Sequence, residues 1–92
     1  MKLSWVRDRR LEEADGTRRW NLWFGFKVIA WVEAAPSGFL EPSYHALICA
    51  GSYYEGARSG FERLAQAQRW TEARALETVV PAVQMQELAG LA

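Results

Sequence analysis

The chain has 92 residues, a length that fits one domain spanning residues 1–92 and leaves no room for two. Eleven basic and eleven acidic side chains give a formal net charge of zero, which argues against a histone-like binder and against an acidic mimic of DNA. Half of the residues are hydrophobic and five are Trp, so we expect a packed core rather than disorder. The single cysteine, Cys49, excludes an internal disulfide and indicates a reducing, cytosolic setting.

No segment of the sequence predicts export or a membrane span. The N-terminal segment carries charges at Lys2 and Arg7 and does not contain the apolar stretch of a signal peptide. The longest apolar-rich stretch, residues 22–35, contains Lys27 and Glu33 and is shorter than the about 20 residues that a spanning helix needs. We therefore expect a cytoplasmic protein without a membrane partner.

In the first half of the chain, apolar and polar residues alternate as they do in β-strands. Residues 3–10 predict a first strand, and Asp15-Gly16 predicts the hairpin turn that follows it. A long second strand begins at Thr17, and Gly25 marks either a bulge within it or its end. Residues 44–50 predict a further strand after a loop bounded by prolines at 36 and 42, so we expect three or four antiparallel strands.

The second strand carries large apolar residues on both of its faces. Successive side chains of a strand point to opposite sides of the sheet, so two sets can be separated. These sets are Trp20, Leu22 and Phe24 on one side, and Trp23, Ile29 and Trp31 on the other. A single helical layer covers only one face, so we expect a second copy or a partner protein to cover the other.

The second half predicts helices. Ser59 and Glu62 fit a capping box, which predicts a helix over about residues 59–79. Its apolar stripe is predicted to contain Phe61, Leu64, Ala65, Gln68, Ala75, Leu76 and Val79, with Arg63, Ala67, Trp70 and Arg74 opposite. Pro81 suits the first turn of a short second helix over residues 81–89, which Gly90 ends. The order of elements predicts an α+β fold.

No group of residues predicts catalysis. His45 is the only histidine, and it lies about 13 Å from Cys49 along one face of a strand, too far for a thiolate–imidazolium pair. With one histidine and one cysteine, an ordinary zinc site cannot be built in one chain. The glycine motifs of nucleotide-binding loops and of nucleophile elbows are lacking. We therefore expect no enzyme activity, no cofactor and no metal.

An arginine-rich hairpin is the first candidate binding site. If strands one and two are joined at Asp15-Gly16, five arginines come together on one ribbon beside Trp20 and Trp23: Arg7, Arg9, Arg10, Arg18 and Arg19. Such a ribbon binds nucleic acid through charge and stacking. The alternative is a solvated face on which these arginines pair with neighbouring acidic residues.

Trp70 is the second candidate. It lies off the predicted apolar stripe between Arg63 and Arg74, and an exposed Trp beside Arg is typical of interface anchors. The alternative is that the segment after Pro81 folds back and covers Trp70.

The segments 28–33, 44–48 and 60–70 together resemble a hairpin-plus-helix pattern of small bacteriophage and prophage proteins, several anti-CRISPR proteins among them. The resemblance covers about half of the chain and carries no catalytic motif. It implies a stoichiometric inhibitor in a bacterial host cell that blocks a Cas interference complex, or another phage accessory protein. The neutral charge fits contact through Arg and Trp better than mimicry of DNA.

The leading hypothesis is therefore a non-enzymatic, phage-type protein, expected to be a homodimer, that binds and blocks a protein complex. The alternative is a nucleic-acid-binding module that uses the arginine hairpin. The residues expected to bind a partner are Arg7, Arg9, Arg10, Arg18, Arg19, Trp23, Trp31, Arg63, Trp70 and Arg74.

Overall fold

A computed structural model describes residues 2–35, 43–50 and 53–91. In this part of the chain, five antiparallel strands form one sheet in chain order, accompanied by three helices. The elements are β1 (Leu3–Arg7), α1 (Arg9–Asp15), β2 (Arg19–Phe24), β3 (Lys27–Ala34), β4 (Tyr44–Ala50), β5 (Tyr53–Phe61), α2 (Leu64–Glu77) and α3 (Val79–Leu91). The α+β class is confirmed, and the prediction of three or four strands is one too low even at its upper value. The proline-bounded loop predicted before β4 lies outside the described residues.

A short helix replaces the predicted hairpin turn between β1 and β2. The strand predicted over residues 3–10 ends at Arg7, because the Asp8 carboxylate accepts a hydrogen bond from the Leu11 N–H at 3.1 Å and caps α1. Gly16 ends α1 with φ 79°, and its N–H donates to the Glu12 carbonyl. The Asp15-Gly16 pair is thus a helix end rather than a hairpin turn.

Gly25 ends β2 and does not interrupt one long strand. Phe24 pairs with Lys27, which leaves Gly25 and Phe26 as a two-residue turn. The positive φ of 61° at Gly25 alone fits a type II′ turn, which joins antiparallel strands without splaying them. Phe26 stands at the hairpin tip with 98% of its surface exposed. The extra strand boundary follows from this turn.

The helices α2 and α3 pack on one face of the sheet and form the core with it. Leu22, Phe24 and Ile48 from the strands lie in one buried cluster with Ala75 and Val79 from the helices. A bulge in the β2–β3 pairing, between Leu22 and Trp23, turns both Ile29 and Ala30 into this core. The predicted placement of Leu22 and Phe24 on one face is therefore confirmed, whereas the predicted placement of Ile29 on the opposite face is wrong.

The helix α2 begins later and turns a different face inward than the capping box and apolar stripe predict. Ser59 lies in β5, and the N-cap residue Arg63 makes no side-chain capping bond. The buried residues of α2 are Ala67, Thr71 and Ala75, spaced four apart, whereas Ala65 and Leu76 are exposed. Small residues line the contact because the helix packs closely onto the sheet. A pattern of large apolar residues therefore does not indicate this inward stripe.

Pro81 separates α2 from α3. A proline ring clashes with the carbonyl four residues earlier, so the helix breaks at Thr78 and α3 starts at Val79 with Pro81 in its first turn. The predicted second helix is confirmed, but it continues through Gly90 to Leu91.

The Asp8 cap makes the stability of the fold sensitive to acid. The Leu11 N–H, and after it the Asn21 amide, hold the pKa of Asp8 below its ordinary value of 3.8. A carboxylate with a lowered folded pKa stabilises the fold above its unfolded pKa, and this contribution disappears as the pH falls through the folded pKa. The Asp8→Asn substitution keeps a capping oxygen that does not titrate. We expect its urea midpoint to fall less than that of the wild type between pH 5 and about pH 3.

Hydrogen bonds to Thr17 lower the pKa of the Asp15 carboxylate as well, so Asp15 also contributes to the acid sensitivity of the fold. The Asp8→Asn protein therefore keeps part of the acid sensitivity. Identical pH slopes for the variant and the wild type would show that the cap is not formed.

Candidate interaction surface

The sheet face opposite α2 and α3 carries three rows of side chains that we call the open face. The central row crosses all five strands through directly paired positions: Val6, Asn21, Trp31, Leu47 and Ala57. An aromatic row on one side contains Ser4, Trp23 and Val28. A charged row on the other side contains Arg19, Glu33 and His45. The open face is therefore apolar in its middle and charged along one end.

The middle of the open face is neither deeply buried nor fully exposed. Trp23, Trp31 and Leu47 are half-buried by their neighbours on the sheet, and Val6 at the edge is 51% exposed. The α2 and α3 helices pack on the other face, and the Asn21 amide in the central row donates to Asp8, the N-cap residue of α1, at 3.2 Å. Large aromatic side chains thus remain partly accessible on this face.

The polar side chains of the charged row pair with one another. The Arg19 Nε donates to Glu33 Oε1 at 2.6 Å, and His45 Nε2 lies 3.3 Å from Glu33 Oε2. The guanidinium of Arg19 also stacks over the Trp31 ring, 4.6 Å from the ring centroid. One carboxylate therefore serves two neighbours, and the row presents little net charge to a binding partner.

The arginine ribbon predicted from the sequence does not form. Because α1 lies between β1 and β2, Arg9 and Arg10 project from a helix and Arg18 lies in the connection before β2. Among the five arginines, Arg19 is the one that lies on the open face, and it is paired with Glu33. The geometry gives no continuous basic surface for nucleic acid at this position.

Arg7 points to the opposite side of the sheet from the open face. It donates to Glu12 Oε1 at 2.7 Å and stacks 5.6 Å from the centroid of the Trp20 ring. Arg7 thus links α1 to the strands through its contacts with Glu12 and Trp20.

Trp70 is half-buried at the margin of the core rather than an exposed anchor. It packs against both buried clusters, and its ring lies 5.8 Å from that of Phe61. The predicted placement is wrong because the inward stripe of α2 is centred on its small residues. Arg63 and Arg74 are exposed on either side of Trp70, and Arg74 lies 3.8 Å from Glu77.

Trp23 and Trp31 lie on the open face, on the side of β2 and β3 that their alternation predicts. Leu47 was not among the predicted contact residues, although it shares a face with His45 in the alternating pattern of β4. Val6 was not predicted either, because the predicted pairing of the first two strands carried no register. The signal for Leu47 was present, whereas that for Val6 required the register of β1 on β2.

Cys49 completes the open face at the end of β4. Burial raises the pKa of its thiol, so most of it is protonated near neutral pH. In the described part of the chain, no three His, Cys, Asp or Glu side chains approach one another as metal ligands.

Comparisons of the chain with protein-family models, with curated proteins and with solved structures found no match. None of the helices in the described ranges is long and apolar enough to cross a membrane.

Proposed function

We propose that this chain is a protein-interaction module that acts by contact rather than by catalysis, and that the open face is its binding surface. One observation carries the proposal: a continuous row of paired positions, with Trp31 and Leu47 at its middle, crosses a sheet whose helices lie on the other side. An accessible apolar patch of this kind on a small domain is characteristic of an interaction site.

The composition of the open face matches that of protein interfaces. Aromatic residues and leucine occupy its middle, and charged residues lie along one end, as in interfaces with an apolar centre and a polar rim. Trp31 is held by the Arg19 guanidinium above its ring, so less side-chain freedom is lost when a partner binds. A rigid, half-buried tryptophan of this kind is a typical energetic centre of an interface.

A photoreactive residue at position 47 tests this proposal. In cells that naturally carry the gene, a benzoylphenylalanine at position 47 is expected to crosslink the chain to protein. The same residue at position 76, which is exposed on α2, provides the matched control. An adduct at twice the mass of the chain identifies a second copy, and a heavier adduct identifies another protein. Absence of any adduct specific to position 47 contradicts the proposal.

The resemblance to small phage proteins supports a sharper form of this proposal, in which the module blocks a CRISPR interference complex. Expression of the chain in a strain with active interference is then expected to restore plating of a targeted phage. Unchanged plating would remove this target while leaving the contact surface to be judged by the crosslinking result.

A further inference from the structure

We infer that a second copy of this chain covers the open face, so that two sheets pack back to back with their helices outward. This inference rests on the proposed function of the open face and specifies its occupant. Three properties of the described residues support it: the balance of charge on the face, its area and the irregularity of the β5 edge.

The charge balance of the open face favours the same face of a second copy as its partner. Arg19 and Glu33 neutralise each other, and the central and aromatic rows contain no charged residue. A partner that is strongly acidic or basic finds no complementary field here. A second copy brings an equally neutral apolar surface, and its charged row can exchange Arg–Glu contacts with the first copy. Self-association therefore meets no like-charge repulsion.

The area of the open face is sufficient for a dimer of modest affinity. Strands lie about 4.8 Å apart and rise about 3.3 Å per residue, so five strands over about six residues cover roughly 500 Å². Two copies then bury roughly 1,000 Å², near the lower limit for specific interfaces. We accordingly expect a dimer that dissociates on dilution rather than an obligate one.

The β5 edge of the sheet is less suited to pairing than the open face. The β4–β5 pairing shifts register twice, between Tyr44 and Ala46 and between Ile48 and Cys49. Such bulges distort the β5 edge and disfavour the addition of a strand. Face-to-face packing of two sheets is a common way to bury an apolar sheet surface, with the strands of the two layers about 30° apart.

Light scattering coupled to size exclusion tests this inference on the full chain. As the loading concentration increases, the apparent mass is expected to rise from 10.5 kDa, the mass of one chain, toward twice that value. Leu47→Arg places a charge in the central row of each copy, and we expect this variant to remain a monomer at every concentration. Leu76→Arg introduces the same charge on the exposed side of α2 and should dimerise like the wild type.

Circular dichroism must show that Leu47→Arg is folded. Should it fail to fold, Val6→Arg provides a second test, because Val6 lies in the central row and is 51% exposed. A wild type that is monomeric throughout, or a Leu47→Arg protein that still dimerises, overturns the inference. In either case the photocrosslink from position 47 decides separately whether the open face binds another protein.

Discussion

Leu22→Ala is expected to destabilise the fold by about 2–5 kcal/mol, the largest effect of any substitution considered. Leu22 is fully buried, lies on β2 between β1 and β3, and faces the core beneath the helices. Removing its side chain leaves a cavity that the surrounding strands cannot close, so both transfer and cavity costs apply. Urea unfolding at low protein concentration, where the chain is monomeric, measures the change.

Leu47→Ala is the matched control for Leu22→Ala. It removes the same atoms from the same sheet but on the open face, where Leu47 is only half-buried. We expect a smaller loss in the monomer, because part of the Leu47 side chain stays in contact with water after folding. Equal losses for the two substitutions would contradict a sheet covered on one face only.

Ala67→Leu is expected to destabilise the fold by about 1–3 kcal/mol. Ala67 is fully buried in the cluster that contains Val32, Ala46 and Phe61, where α2 meets the strands. A larger side chain at this position pushes the helix away from the sheet. Ala65→Leu, on the exposed side of the same helix, should change the stability by about 0.5 kcal/mol or less.

The Ala67 and Ala65 pair tests the orientation of α2 directly. The predicted apolar stripe turns Ala65 inward and Ala67 outward, whereas the structure has the reverse. A larger loss for Ala65→Leu than for Ala67→Leu would restore the predicted stripe and contradict the packing of α2. Thermal unfolding of the two variants under the same conditions provides the comparison.

The parts of the fold that the sequence predicted depend on local patterns. Alternation along β2 and β4 identified which residues turn inward, and Pro81 identified the start of α3. The turn at Gly25 was one of two alternatives, because a positive φ suits both a bulge and a hairpin. A decision between them required the pairing of Phe24 with Lys27, which is a property of the sheet.

The parts that were missed depend on tertiary context or on competing local signals. Asp8 and Gly16 are good caps for α1, but the same Asp15-Gly16 pair is also a common hairpin turn. Strand β5 contains two glycines, Gly56 and Gly60, which are uncommon inside strands and typical of loops. Both have a positive φ in the structure. It forms a strand because β4 offers it a partner.

The candidate site was only partly predictable for the same reason. The sequence indicated that apolar residues on a second sheet face need a cover, and it placed Trp23 and Trp31 there. The joining of Val6, Asn21, Trp31, Leu47 and Ala57 into one row requires the register of four strand pairs. The predicted pairing of the first two strands is present, but α1 replaces the turn between them and carries Arg9 and Arg10. Arg7 and Arg19 remain on the strands, on opposite faces of the sheet.

The rate at which a small alkylating reagent modifies Cys49 tests most directly whether the open face is covered by a second copy. Cys49 is the single cysteine of the chain and lies at the end of that face. Measured at a mildly alkaline pH, because burial raises the pKa of the thiol, the rate is expected to fall as the protein concentration rises. In the Leu47→Arg variant it should stay constant. A wild-type rate that is independent of concentration and equal to that of the variant would contradict a buried open face.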